Sequence, residues 1–381
     1  MATVTVKPEL LRWARERAGL KVHDLTRRFP KLNMWETNQA QPTLKQLEAF
    51  AKATYAPIGY LLLPQPPVER VPIPDFRSVE GRGIPNLSPN LLETIYVCQQ
   101  RQDWYRDYAQ ATGEKPRDFV GSAEINSPVE SVADSIRQTL GFSLQARRTY
   151  PTWTEALRHF IDQADEAGIL VMCSVVVLNN NRRTLDVDEF RGFAMSDPLA
   201  PLIFINGADS KSAQMFTLAH ELAHLWLGQS ALTDTDASAG PSNAIESWCN
   251  QVAAETLVPL AALQNEIPKE LNMGLETRRL ARLFKVSTLV ILRRLHDAGV
   301  LPRQAFRKAY NEEVDRLQNM PANSGGNFYL TQSARVSKRL ARALVESTLE
   351  GQTLYRDAFQ MLGISKVETF HELGRSLGYS I

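Results

Sequence analysis

The chain has 381 residues, enough for two or three domains with cores of their own. Its 43 lysines and arginines nearly cancel its 42 aspartates and glutamates. That balance excludes a global field drawing the protein to nucleic acid or membrane and confines any DNA contact to a local patch. Three cysteines, Cys98, Cys173 and Cys249, with no C-x-x-C spacing, argue against a disulfide framework and for a reducing compartment. The opening residues carry no charged head followed by an apolar run, and no later apolar stretch approaches membrane-spanning length. The expectation is a soluble cytoplasmic protein.

Residues 7 to about 63 read as short helices. Leu10, Leu11, Ala14 and Ala18 mark one face; Val22, Leu25 and Phe29 mark a second after Gly19-Leu20; Leu44, Leu47, Phe50 and Ala51 follow Pro42 on another. The words Leu11-Arg12-Trp13-Ala14-Arg15-Glu16-Arg17-Ala18-Gly19-Leu20 and Trp35-Glu36-Thr37-Asn38-Gln39-Ala40-Gln41-Pro42-Thr43 resemble the Xre-type helix-turn-helix domain, here residues 1–63. The resemblance implies DNA binding. A local excess of basic residues suits phosphate contacts, with Arg12, Arg15, Arg27, Arg28 and Lys31 as candidates. The reading helix departs from the pattern: only Pro30-Lys31-Leu32-Asn33-Met34 separates Phe29 from Trp35, a shortened stretch with a proline inside it. The alternative is a helical docking module that has lost the groove contacts.

Prolines 64, 66, 67, 72 and 74 cannot continue a helix, and residues 64–84 read as a linker. A core of residues 85–317 follows. Within it, 88–112 reads as one long helix, and 129–140 and 153–167 as two more. After Gly168 the period changes to β-branched and apolar runs at 169–177, 189–195 and 202–205, the strands of a short sheet.

The next run is Phe216-Thr217-Leu218-Ala219-His220-Glu221-Leu222-Ala223-His224-Leu225-Trp226-Leu227. Two histidines four apart on a helix share a face about a turn apart, close enough to grip one metal ion. In the His-Glu-x-x-His pattern the imidazoles bind zinc and the carboxylate serves as general base. The bland alternative, two satisfied histidines in a buried helix, leaves an acid and two imidazoles on an apolar helix without partners. Residues 229–242 read as a Ser/Thr/Asp/Gly loop. A second helix, 243–259, ends at a proline and carries Glu246 and Asn250 on one face. Glu246 is the candidate third ligand and Asn250 the partner for an imidazole's second nitrogen, with Glu255 and Cys249 as competitors.

Residues 276–299, with Leu283-Phe284-Lys285-Val286-Ser287, look like a helix, tight turn and helix. Arg278, Arg279, Arg282, Lys285, Arg293 and Arg294 suit either nucleic acid or a solvated face. The C-terminal segment 318–381 begins with a linker-like loop to 327 and continues with helices at 336–349, 354–362 and 367–377. His371-Glu372-Leu373-Gly374-Arg375 imitates the zinc motif and fails at its last position, so no metal is assigned there. His23, His159 and His296 have no metal-ligand spacing.

Arg191-Gly192-Phe193, Pro201-Leu202-Ile203-Phe204-Ile205-Asn206, the His220 to His224 motif and the Glu246 to Pro259 helix together resemble the ImmA/IrrE metallopeptidase family. The resemblance implies an α+β, mostly helical chain: a small helical N-terminal domain, a gluzincin-like zinc-peptidase core with a short sheet, and a helical C-terminal segment. It implies Zn2+ held by His220, His224 and Glu246, with Glu221 as general base. Asn250 stands where related peptidases place an aspartate, which weakens the charge behind the ligand. Such folds offer a strand edge beside the zinc helix to an extended peptide, and Gly192 to Ala194 and Ile203 to Asn206 are the candidates here. The expected function is a zinc endopeptidase and regulator that cleaves or antagonises a partner protein, a repressor or a toxin, and that binds operator DNA through its N-terminal domain. The competing expectation is a non-proteolytic transcription regulator or antitoxin with a structural or sensory zinc. Expected partners are a protein, operator DNA and, in a homo-oligomer, further copies of the chain, with no membrane.

Overall fold

The computed structural model describes residues 3–69, 73, 87–233, 244–268, 272–318 and 335–380. Most of the 64–84 linker, residues 234–242 of the loop between the two candidate ligand helices, and residues 319–327 of the second linker-like loop lie outside them. The chain divides into two compact units, Met1–Pro72 with Gly81–Tyr96, and Ile73–Glu80 with Val97–Ile381. Among the described residues no helix is long and apolar enough to cross a membrane.

In the first unit, α1 (Pro8–Arg17), α2 (Val22–Thr26), α3 (Leu32–Glu36) and α4 (Leu44–Thr54) are followed by a 3-10 turn, Ile58–Leu62. Their apolar faces close a core of Leu10, Leu11, Ala14, Leu25, Phe29, Trp35, Leu47 and Phe50. The rings of Phe29 and Phe50 meet edge to face at 5.6 Å. Thr43 and Gln46 cap α4 reciprocally. The stretch around Pro30 yields α3 as five residues only. Arg12, Arg27, Arg28 and Lys31 are exposed, but Arg15 is not a phosphate-facing residue. Its guanidinium meets both carboxylate oxygens of Glu36, at 2.7 and 3.1 Å, and donates to the Leu20 carbonyl. Arg17 grips Glu69 at 2.5 and 2.6 Å and Lys7 donates to the Pro64 carbonyl, so the start of the proline-rich stretch folds back on α1.

Because the Arg15 and Glu36 side chains are only 11 and 7% exposed, removing one strands the other in a dry place. Glu36→Ala is expected to destabilise this unit by about 3 kcal/mol. Hydrogen exchange should show the loss in α1 and α3, and unchanged protection there would contradict a structural role for the pair.

In the second unit, α5 (Pro89–Ala111, which begins in the first unit), α6 (Val129–Leu140), α7 (Leu144–Thr149) and α8 (Trp153–Glu166) precede the sheet. Gly168, at φ +98°, makes the left-handed turn from α8 into β1. The strands β1 (Leu170–Ser174), β2 (Gly192–Met195), β3 (Leu202–Asn206) and β4 (Ala231–Thr233) stand in the order β1-β3-β2-β4. β1 runs parallel to β3; β2 is antiparallel to both β3 and β4. Two expectations are corrected here. The loop expected at 229–242 contributes β4, with Phe193 paired to Leu232 and Ala194 to Ala231; a three-residue strand is too short to show an alternating pattern. In consequence Gly192 to Ala194 and Ile203 to Asn206 are interior strands, not edges, and the sheet's edges are β1 and β4.

Val171, Ala194, Ile203 and Ile205 share one apolar core with Leu218, Ala219 and Leu222 of α9 (Lys211–Trp226). Phe193 and Phe204 stack at 5.1 Å centroid separation as partners in register. From α5, Gln102 donates to the carbonyls of Met195 and Ala200. The remaining helices are α10 (Ala244–Leu257), α11 (Leu260–Gln264), α12 (Met273–Phe284), α13 (Thr288–Asp297), α14 (Arg303–Gln318), α15 (Lys338–Leu349), α16 (Tyr355–Leu362) and α17 (Val367–Ser376). The basic helix α15 is anchored on α8: Asp165 accepts from the Ser337 hydroxyl and the Arg339 N–H, and Lys338 pairs with Asp162. In the α12–α13 pair, Lys285 takes the left-handed turn at φ 54°. Arg294 points inward, 4% exposed, so this basic residue is a packing group and not a nucleic-acid contact.

Candidate metal centre

Helix α9 starts at Ser210, whose hydroxyl accepts the Ala213 N–H. Its middle is a run of Ala, Leu and Glu, strong helix formers, and residues Gln214 to Trp226 other than the partly exposed Phe216 are buried. A helix buried on every side turns its few polar groups toward a neighbour. His220 and His224 face α10, their Nε2 atoms 3.1 Å apart. On α10, Glu246 lies in the first turn and meets both: Oε2 is 3.1 Å from His220 Nε2 and Oε1 is 3.2 Å from His224 Nε2. Both histidines are fully buried and the Glu246 side chain is 11% exposed. Asn250, one turn further along α10, places Oδ1 3.0 Å from His220 Nδ1.

That last contact sets the chemistry. An amide oxygen can only accept, so His220 Nδ1 carries a proton, and in the neutral ring Nε2 is then the atom with a lone pair to offer. His220 Nε2 faces a carboxylate and a second imidazole nitrogen, three groups that a buried site brings this close only with positive charge among them, a ring proton or a cation. Burial alone would raise the Glu246 carboxyl, but the two imidazoles more than reverse this and hold it at about 2. Burial keeps the His224 imidazole below its usual range, against the pull of Glu246. A carboxylate oxygen and two imidazole nitrogens are the donor set of a three-ligand zinc site. Zn–N and Zn–O bonds of about 2.0–2.1 Å put tetrahedral ligand atoms about 3.3 Å apart. The observed 3.1 to 3.2 Å separations fit.

Among the described residues this is the one group of three or more His, Cys, Asp or Glu side chains that could hold a metal ion, all ligand atoms lying within 4.8 Å of one another. Glu255 turns instead to Arg294 and to the Leu260 N–H. Cys249 is buried beside the site; burial pushes its thiol well above the usual range, and Glu246 and Glu221 add to the effect. His371 lies outside the group; His159 stacks on Tyr150, His296 stacks on Phe306, and His23 sits beside Asp24.

Glu221, buried next to His220, does not join the three ligand atoms. It lies toward β2, where Gly192 makes room for it. A Cβ built on Gly192 would stand 2.5 Å from Thr217 Cγ2 and 3.1 Å from Glu221 Oε1. Gly192 therefore serves the site by having no side chain, a role unlike the strand edge expected of it. A glycine inside a strand pattern is the signal for such a close approach.

Residues 164–296 match the Peptidase M78 family model, the IrrE N-terminal-like domain. This IrrE-like region runs from the end of α8 to α13 and contains the sheet, both helices of the centre, Glu221 and Asn250. Residues 336–376 match a domain of unknown function, DUF8813. No curated protein and no solved structure matches the chain.

Asn250→Ala is expected to weaken metal binding about 10- to 100-fold, because the ligating tautomer and ring orientation of His220 lose their partner. Chelator competition on the metal-free protein measures it; an affinity within about twofold of native would remove Asn250 from the site's support.

Proposed function

We propose that His220, His224 and Glu246 hold a zinc ion and that the chain is a zinc endopeptidase acting on a partner protein, a repressor or a toxin. The observation that carries this reading is the convergence of two imidazole nitrogens and a carboxylate beside a buried, non-converging glutamate. Bound there, zinc supplies a Lewis acid that polarises a scissile carbonyl and brings a water within reach of deprotonation at neutral pH. Glu221 accepts that proton and returns it to the departing amine. Asn250 keeps His220 in its ligating tautomer. An extended substrate segment adds to the sheet at β4, whose outer side pairs with no other strand among the described residues and which pairs with β2, the strand packed on the zinc helix. Three free cysteines suit work in the reducing cytoplasm.

The competing reading, a transcription regulator or antitoxin with a structural or sensory zinc, draws on the burial of His220, His224 and Glu221, each 0% exposed. Two kinds of variant separate the readings. Glu221→Gln should retain one zinc per chain, while His224→Ala and Glu246→Ala should lose it. New protein N-termini should appear in cells expressing the native chain and not in cells expressing Glu221→Gln. Gly192→Ala should fall with Glu221→Gln, keeping zinc and losing cleavage, since the added methyl crowds Thr217, the Phe204 carbonyl and Glu221 together. If Glu221→Gln performs every activity of the native chain, the peptidase reading is wrong.

The N-terminal unit serves in this proposal as an Xre-like module that binds operator DNA through Arg12, Arg27, Arg28 and Lys31. Affinity should then fall steeply with salt, log K against log concentration having a slope of about −0.9 for each phosphate contacted. The joint substitution of Arg27 and Arg28 by alanine should flatten that slope. Binding indifferent to salt and to both arginines would leave the unit as a protein-docking module.

A further inference from the structure

The helix that brings Glu246 and Asn250 to the histidines is secured at its far end by three arginines from three other helices. Pro259 is the reason they are needed. The N–H of Val258 bonds the Ala254 carbonyl, but proline has no N–H to offer the Glu255 carbonyl. The Leu260 N–H goes to the Glu255 carboxylate. Helix termination thus leaves a row of carbonyls without helical partners, and guanidinium groups take four in succession. Arg137 of α6 donates to the carbonyls of Glu255 at 2.6 Å and Thr256 at 3.3 Å. Arg147 of α7 donates to Leu257 at 2.5 Å, and Arg294 of α13 to Val258 at 2.9 Å while pairing with the Glu255 carboxylate.

Arg147 and Arg294 are 1 and 4% exposed. The Arg147 guanidinium lies over the Phe142 ring at 4.7 Å and faces the negative end of the α10 dipole. Keeping a cation so far from water is expensive, which marks the contact as one the fold depends on. Burial pushes this guanidinium down to about 9, with Arg137 and Arg148 adding like charge.

We propose that Arg137, Arg147 and Arg294 are positioning residues for the metal centre: by holding consecutive carbonyls at the C-terminal end of α10 they set its axial register, and with it the approach of Glu246 and Asn250 to the two histidines. The inference rests on the zinc reading above. Its physical basis is a mismatch of tolerances. The side chains through which α10 joins the core shared with α9 are the apolar Trp248, Cys249, Val252, Ala253 and Leu257, contacts that are non-directional and do not by themselves fix the axial position to a fraction of an ångström. One residue of helix is about 1.5 Å long, whereas ligand distances tolerate about 0.2 Å. Slippage of a small fraction of a residue therefore spoils chelation while the core stays packed. Directional bonds to four carbonyls resist that motion. Along the helix body, Trp248 supplies one more tie, from Nε1 to the Ser127 carbonyl at 3.2 Å.

The experiment measures zinc affinity of the full chain by chelator competition, and the visible spectrum of the cobalt-substituted protein, for native, Arg137→Gln, Arg137→Lys, Arg147→Leu and Arg148→Ala forms. Thermal melting of the metal-free proteins is followed in parallel. Arg137 is the deciding position, because its side chain is 14% exposed against 5% for Arg294, which makes its replacement the less disruptive of the two. Arg137→Gln should bind zinc at least about tenfold more weakly and change the cobalt spectrum while still melting cooperatively. Lysine should recover part of the affinity. Arg148→Ala removes a neighbouring charge whose partner is the partly exposed Glu266 and should behave as native. Arg147→Leu, if folded, should resemble Arg137→Gln. Native affinity and spectrum in folded Arg137→Gln, or a lowered melting temperature alone, would overturn the clamp and leave the zinc site standing. A native chain that takes up no zinc would overturn both.

Discussion

Two imidazole lone pairs and a carboxylate brought together in a dry interior repel one another unless something positive sits among them. That constraint organises the second unit. The sheet gives α9 an apolar bed, α9 presents His220 and His224 to a single neighbour, and α10 meets them with Glu246 in its first turn. The amide of Asn250 then removes a choice, fixing a proton on the outer nitrogen of His220 and turning the inner one toward His224 and Glu246.

How much of this could be read from residues alone depended on the range of the interaction. Spacing along one helix is local: His220 and His224 four apart, and Glu246 with Asn250 four apart, put donors on shared faces whatever the rest of the chain does. Helix ends were equally readable where a glycine or proline enforced them, as at Gly168 and Pro259. Strand neighbours were not, because pairing joins residues far apart in sequence. Gly192 to Ala194 have the composition of any short strand, and only their pairing to Ala231 to Thr233 makes them interior. The three residues of β4 carry no period to read.

Charged residues gave the opposite lesson. A basic side chain in a helical stretch has the same letter whether it faces water, phosphate or a carbonyl. Arg15 and Arg294 both stood out as surface cations, and both turned inward to a glutamate. In each case the acid lies 21 or 39 residues away, beyond any helical spacing rule. Arg137 and Arg147 drew no notice because their acceptors are backbone carbonyls, which every residue has.

Pro259 has a consequence for how the chain can change over time. Replacing it with a residue that has an N–H would let α10 bond the Glu255 carbonyl by itself and relieve Arg137 of the nearer of its two carbonyls; replacing Arg137 first leaves that carbonyl stranded. The order of substitution therefore matters, and the two positions are epistatic although each belongs to a different helix. Drift at this corner of the protein must proceed by linked steps, or by steps that pass through a chain whose α10 is less firmly held.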